Sequence, residues 1–211
     1  MLQSVTLPNP CLALITNRHL CTSLSLSQII RAAIAGGVNL VQLREKDLGT
    51  SELRRLSFEI REITLGRAFF LINSETTLAE ECHADGVHFS EQQLIKHCNH
   101  TNSSRDFLIG QSVHSLSVAQ TAEDHHVSYI QLGTIFPSKS KPSSAGSGTQ
   151  LIRSVSSNIK TPIIAVGGIN ISNVRAVSQS GATGIAVISA IMEAKDPQKA
   201  AYELREILET P

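Results

Sequence analysis

Gln42, Arg44 and Lys46 stand at alternate positions of "NLVQLREKDL" (39–48), with Val41 and Leu43 between them. Strict alternation describes a strand with one apolar face and one polar, doubly cationic face. Two cations and an amide on one face could grip an anion, either a nearby carboxylate or a ligand phosphate. The plain alternative is a polar face turned to water. A second constellation is "GQSVHS" (110–115), where Ser112 and His114 fall on the same side of a strand. Histidine titrates near neutrality, so His114 is the acid/base candidate, with Ser112 beside it. A third is "VGGIN" (166–170), followed one unit later by "ISAI" (188–191). Gly167 and Gly168 would let backbone N–H groups approach a phosphate, with Ser189 as companion.

These groups need a frame that brings them together. Eight β-branched-rich runs alternate with helical patterns along the chain. They are Leu12–Thr16, Asn39–Glu45, Ala68–Asn73, Gly86–Ser90, Phe107–Val113, Tyr129–Phe136, Pro162–Gly168 and Gly184–Ala190. Between them, "SQIIRAAIAGG" carries an apolar stripe stopped by Gly36–Gly37, and "SELRRLSFEIREI" starts at Ser51 as its expected N-cap. "AAYELREIL" (Ala200–Leu208) is the last such helix. Eight strand–helix units without a Pro/Gly/Ser-rich linker between halves predict one (β/α)8 TIM barrel, a single domain over 1–211. A doubly wound sheet would want a Gly-x-Gly-x-x-Gly turn after the first strand, and "TNRHLC" has none.

In such a barrel the strands' C-terminal ends form the active face. Strand two's charged face would then look inward, because Val41 and Leu43 claim the helix side. An unpaired cation there is costly without an anion. The other ends add Asn73 and Ser74, His88 and Ser90, then Thr134, Ser138 and the Lys139–Lys141 segment. His88 has a similar acid/base claim, with a structural core role as the stronger expectation because strand four carries few other polar groups. The irregular stretch Pro137–Thr149 has the length and composition of a lid or binding loop. His97–His100 and His125–His126 have no second cluster at matching spacing, so no metal site is expected from them.

The bulk properties narrow the class. Eighteen basic residues balance eighteen acidic ones, which argues against nucleic acid or an anionic membrane as partner. The composition is 41% hydrophobic but only 4% aromatic, so the core must be aliphatic. "MLQSVTLPNP" lacks a secretory pattern, and "GIAVISAIM" is too short to span a bilayer. Four cysteines without a Cys-x-x-Cys pair fit a reduced, soluble, cytoplasmic protein.

Taken together, "VQLREKDL", "LIN", "ADGVHFS", "IGQSVHS", "GTIFPSKSK", "IIAVGGIN" and "GATGIAVISAI" resemble the thiamin-phosphate synthase/TenI superfamily, in order from Leu12 to Pro197. In its synthases the barrel joins a pyrimidine diphosphate to a thiazole phosphate, releasing pyrophosphate with Mg²⁺. The resemblance implies that Gln42, Arg44 and Lys46 hold the diphosphate beside Asn73 and Lys141. Ser138 and Ser140 would stand where the synthase lid has small hydroxyl residues. Gly168, Ile188 and Ser189 would bind the thiazole phosphate, with Gly167 and Thr134 alongside.

Two departures matter. Synthases carry aspartates that bind the metal at the ends of strands three and four, where this chain has Ser74 and Gln93. Those substitutions remove about two negative charges from a Mg²⁺ shell, unless Glu75 or Glu91 reaches in. The TenI-like branch lacks the same acids and shares the "SVHS" ending. That resemblance makes thiazole tautomerase the leading expectation: a cofactor-free proton shift on a thiazole carboxylate phosphate, with His114 as acid/base. The alternatives are a Mg²⁺-using thiamin-phosphate synthase and a non-catalytic barrel that binds phosphate ligands. A small-molecule phosphate is the expected partner in each case, and the family also implies homo-oligomers.

Overall fold

A computed structural model describes residues 6–93, 107–138 and 145–210. Its eight strands are β1 (Cys11–Ile15), β2 (Leu40–Leu43), β3 (Phe69–Asn73), β4 (Gly86–Phe89), β5 (Leu108–Val113), β6 (Tyr129–Leu132), β7 (Ile163–Val166) and β8 (Gly184–Val187). They pair in parallel in sequence order, and β8 closes on β1 through Ala13↔Ala186 and its neighbours. The result is the expected (β/α)8 TIM barrel.

Parallel strands covered on both sides read as continuous apolar runs, and "CLALI", "IIAV" and "GIAV" do. Alternation then sorts their side chains into two cores. Cys11, Ala13, Leu40, Leu71, Tyr129 and Ile164 belong to the small inner cluster that plugs the barrel. Leu12, Leu14, Val41, Leu43, Ile72 and Ile130 face the helices instead. The β2 pattern therefore resolves as expected: Val41 and Leu43 pack outward, which turns Gln42 to the interior.

The helices are α1 (Leu26–Ala35), α2 (Thr50–Thr64), α3 (Thr76–Glu81), α4 (Leu116–Asp124), α5 (Gly148–Ser156), α6 (Val174–Ser178), α7 (Ser189–Met192) and α8 (Pro197–Glu209). Helix α1 starts at a full capping box between Ser25 and Gln28. It ends against α8, where a Cβ at Gly36 would lie 2.2 Å from the Gln198 carbonyl oxygen. Helix α8 opens with Asp196 capping the Lys199 N–H and Pro197 in its first turn. In α2 the expected Ser51 cap gives way to Gly49, because the Leu53 N–H closes the first turn on the Gly49 carbonyl. No helix among the described residues is long and apolar enough to cross a membrane.

Several strands stop earlier than the sequence pattern predicts. Arg44 and Glu45, Gly133–Phe136 and Gly167–Gly168 lie beyond the ladders, and Ser189–Ala190 already belong to α7. The reason is the barrel's geometry. Alternation persists past the last ladder bond, but the chain has left the sheet to build the loops over its mouth.

Candidate active site

A cavity of about 930 Å³ opens at the C-terminal ends of the strands, within the range of small-molecule sites. Among its lining residues are Gln42, Arg44, Lys46, Asn73, Ser112, His114, Thr134, Ser138, Gly167, Gly168, Ile188 and Ser189. Every described residue singled out as a site candidate from sequence thus reaches one cavity. Ser140 and Lys141 lie outside the described residues, as do Lys139 and His97–His100.

The cationic side of the cavity is built by β1 and β2 together. Arg44 donates its backbone N–H to Thr16 Oγ1 at 3.0 Å, which pins the residue just past the β2 ladder. Glu45, between the two cations, points the other way and is buried. Its carboxylate accepts the backbone N–H of Arg18 at 3.0 Å and the Arg18 guanidinium at 3.2 Å. Arg18 then pairs bidentately with Asp47, both bonds at 2.6 Å, and His19 meets the same carboxylate at 2.9 Å. This contact holds the Asp47 carboxyl well below the usual carboxylate range. Every acid of the β2 end is consumed by Arg18 and His19, and the ion pairs of the described residues include neither Arg44 nor Lys46. Arg18 was not read from the sequence as a site-face cation; its bidentate partner lies 29 residues away.

Away from the cations a chain of neutral groups crosses the floor. Gln131 Nε2 donates to Gln42 Oε1 at 2.6 Å, and Gln42 Nε2 donates to Asn73 Oδ1 at 3.1 Å. Asn73 Nδ2 donates to Ser74 Oγ at 2.9 Å, and Ser74 Oγ donates to Gln93 Oε1 at 2.8 Å. Gln93 Oε1 also takes the Ser90 hydroxyl. Gln42 and Asn73 are thereby held rigid in front of Arg44.

Ser74 and Gln93 stand at the positions where the synthases carry metal-binding aspartates, and here they bond to each other. A divalent cation wants anionic oxygens, and this pair offers neutral ones already engaged. Glu75 and Glu91 do line the cavity, Glu75 exposed and Glu91 half-buried, so both acids named as replacements stand at its wall. Glu75 is the residue just before α3, where the chain turns from the strand and swings the side chain over the mouth. Among the described residues, however, no three His, Cys, Asp or Glu side chains gather as a metal site. Ser74 and Gln93 themselves offer a divalent cation no charge, and the carboxylates lining the cavity are those of Glu75 and Glu91, beside Glu45.

His114 is exposed at the cavity rim, and its Nδ1 bonds the Gly133 carbonyl. That leaves Nε2 as its free nitrogen. His88 is the better-connected histidine. It is 2% exposed, with Nδ1 3.0 Å from the Tyr129 hydroxyl and Nε2 2.8 Å from Ser112 Oγ. Burial, with a smaller contribution from Arg44, pushes its pKa down to about 3, so the ring is neutral. On the far side, Gly167 and Gly168 both have positive φ, 103° and 63°. A Cβ on either would collide with the sixth loop, 2.5 Å from Thr134 Cγ2 and 2.4 Å from the Pro137 carbonyl oxygen. Glycine is required here by close approach of two loops as well as by conformation. Ile188 is the N-cap and Ser189 the first residue of the short α7, and both line the same cavity as this pair.

Comparison with known proteins bears on the chemistry. The chain is 32% identical to a thiamine-phosphate synthase of Coprothermobacter proteolyticus, covering 93% of this chain and 94% of the relative. It is 35% identical to that of Clostridium botulinum (strain 657 / Type Ba4), covering 92% and 95%. Among solved structures, thiamine phosphate pyrophosphorylase from Pyrococcus furiosus superposes with a TM-score of 0.81 at 33% identity, covering 95% of this chain and 96% of that one. These relatives overturn the tautomerase expectation. Ser74, Gln93 and "SVHS" carried it, but loss of metal acids removes a cation's ligands and leaves the anion grip of β2 intact. The chain matches the thiamine monophosphate synthase family over residues 12–191 and belongs to it, as an enzyme of thiamine biosynthesis.

Proposed function

We propose that this chain is a thiamin-phosphate synthase, which couples a pyrimidine diphosphate to a thiazole phosphate and releases pyrophosphate. One observation carries the reading: Arg44 and Lys46 line the cavity without an ion-pair partner among the described residues, while the two acids of their own strand end, Glu45 and Asp47, are committed to Arg18 and His19. Two cations at the cavity mouth, Arg44 half-buried and Lys46 exposed, beside a fixed amide pair suit a polyanion.

In the reaction, the bond between the pyrimidine's methylene carbon and the diphosphate oxygen breaks, its electrons leave on the diphosphate, and the thiazole ring nitrogen supplies the electron pair for the new bond to that carbon. Positive charge fixed in advance near that oxygen lowers the barrier without reorganisation. Arg44 and Lys46 supply it, and Gln42 and Asn73 orient the diphosphate. The hydroxyls of Thr134 and Ser138 extend the grip from the sixth loop, and the family resemblance adds Ser140 and Lys141 to it. Gly167, Gly168, Ile188 and Ser189 hold the thiazole phosphate opposite, and Ser112 contacts the pyrimidine side. His114 lies at the rim between the two halves. The family's Mg²⁺ would add charge to the leaving group, but Ser74 and Gln93 do not fit it, and no step here depends on it. The balanced net charge suits small phosphorylated substrates rather than a nucleic acid or membrane partner, and the cysteine usage suits a cytoplasmic enzyme.

The test is direct. Purified protein is incubated with both substrates, with and without Mg²⁺, and separately with the unaromatised thiazole carboxylate phosphate. Thiamin phosphate formed at an enzymatic rate is expected. Turnover of the carboxylate alone, with no coupling under either metal condition, would sink the synthase reading.

A further inference from the structure

His88 and Tyr129 take no place in the phosphate grip, yet they form the most buried polar pair of the barrel. Tyr129 is fully buried, and its ring lies over Gly110, where an added Cβ would fall 2.1 Å from Cζ and 2.3 Å from the hydroxyl oxygen. The β5 glycine thus makes room for the phenol to reach His88 on β4, with ring centroids 5.7 Å apart. Among the described residues, His88 Nδ1 is the one hydrogen-bond partner of the Tyr129 hydroxyl, and His88 Nε2 is the one partner of Ser112 Oγ.

These contacts have a direction. A buried phenol must place its single O–H on an acceptor, or leave a donor unsatisfied. Burial raises the Tyr129 pKa well above its ordinary value, so the proton is present. It goes to His88 Nδ1, which makes Nδ1 the acceptor nitrogen. The neutral ring then carries its hydrogen on Nε2 and donates to Ser112 Oγ. With a lone pair so occupied, Ser112 turns its own hydrogen toward the cavity that it lines.

We propose that Tyr129 and His88 form a one-way hydrogen-bond relay that fixes Ser112 as a donor to an acceptor atom of the bound substrate. His88 and Tyr129 are positioning residues: Tyr129 is fully buried, His88 forms part of the cavity wall with both ring nitrogens engaged, and both act through the Ser112 hydroxyl. The kinetic part of the inference rests on the synthase reading, whereas the direction of the relay does not.

Two measurements test it. Histidine-labelled ¹⁵N protein, with the His88 signals assigned against a His88→Gln variant, reports the tautomer directly. The Nε2–H form is expected, without titration between about pH 8 and about pH 5. In Tyr129→Phe that preference is expected to weaken or reverse. An Nδ1–H ring in the wild type, or a ring that titrates near neutrality, would overturn the relay. In kinetics, Ser112→Ala and Tyr129→Phe should each lower kcat/KM by about tenfold. The double variant should be no worse than Ser112→Ala alone. A loss from Tyr129→Phe that is as large in the Ser112→Ala background as in the wild type would overturn the inference too. If no coupling activity is found at all, the synthase reading fails, and the tautomer measurement still decides the relay.

Discussion

The mouth of the barrel has two unlike sides. At the end of β2, Arg44 and Lys46 are charged and have no ion-pair partner among the described residues, with the acids of that loop drawn away by Arg18 and His19. At the ends of β3 and β4, Ser74, Gln93 and His88 are neutral and satisfied by each other or by Tyr129 and Ser112. One side is prepared for a ligand's charge, and the other has settled its polarity internally. The lesson concerns what each side can lose. An unpaired cation answers to the ligand, so its removal is felt on binding. A closed neutral network answers to the fold, so its disturbance is felt in stability, pH response or metal preference.

The sharpest way to break the contrast is on the charged side. Arg44→Ala should weaken binding of inorganic pyrophosphate by about a hundredfold, the scale of a lost charge-assisted contact. Titration calorimetry would read this, with little change expected in melting temperature. A variant that binds as the wild type does would show that the β2 cations face water after all.

The neutral side predicts an acid-sensitive fold. The His88 pKa of about 3 lies below its ordinary 6.5, so between those values the unfolded chain binds a proton that the native chain excludes. Stability must therefore fall as pH drops through 6.5, by about 2 kcal/mol between pH 7 and pH 5 from this group alone. Denaturant unfolding at the two pH values would measure it. His88→Gln should shrink that drop by a similar amount, and an unchanged drop would remove His88 as its cause.

A third change would make the two sides more alike. In the wild type, Mg²⁺ should leave pyrophosphate binding unchanged or weaken it, since the metal neutralises the anion that Arg44 and Lys46 hold. Ser74→Asp combined with Gln93→Asp restores about two negative charges, and Mg²⁺ should then tighten pyrophosphate by about tenfold. Metal-strengthened binding in the wild type would point to Glu75 or Glu91 as ligands instead.

The smallest effect tests how the cations are aimed. Glu45→Gln keeps the volume but weakens the bonds to Arg18, so pyrophosphate affinity should fall about threefold. Stability should fall by about 1 kcal/mol, read from the unfolding midpoint.

Much of this was legible in the chain. Alternation in "NLVQLREKDL" already separates Val41 and Leu43 from Gln42, and the closed barrel then leaves one direction for the polar face. The glycine pair after β7 and the hydroxyls of the sixth loop are visible for similar reasons, because the types themselves are unusual at strand ends. The strand limits differ from the pattern because period-2 alternation runs past the last ladder bond, and the α2 cap falls at Gly49 rather than Ser51 because a backbone carbonyl, not a side chain, closes the first turn. The choice of chemistry was misjudged for a different reason. Ser74 and Gln93 mark the loss of a function, but weighing that loss needs the retained grip beside them.

By itself the sequence determined the architecture, the face on which chemistry occurs and most of the cavity's polar lining. These follow from local periodicity and from residue type. Tertiary structure decided the pairings. Which acid neutralises Arg18 and so leaves Arg44 free depends on contacts 27 and 29 residues apart. Which histidine is buried, neutral and directional depends on a tyrosine 41 residues along the chain. Charge and proton placement are properties of pairs, and only the closed barrel brings those pairs within hydrogen-bond distance.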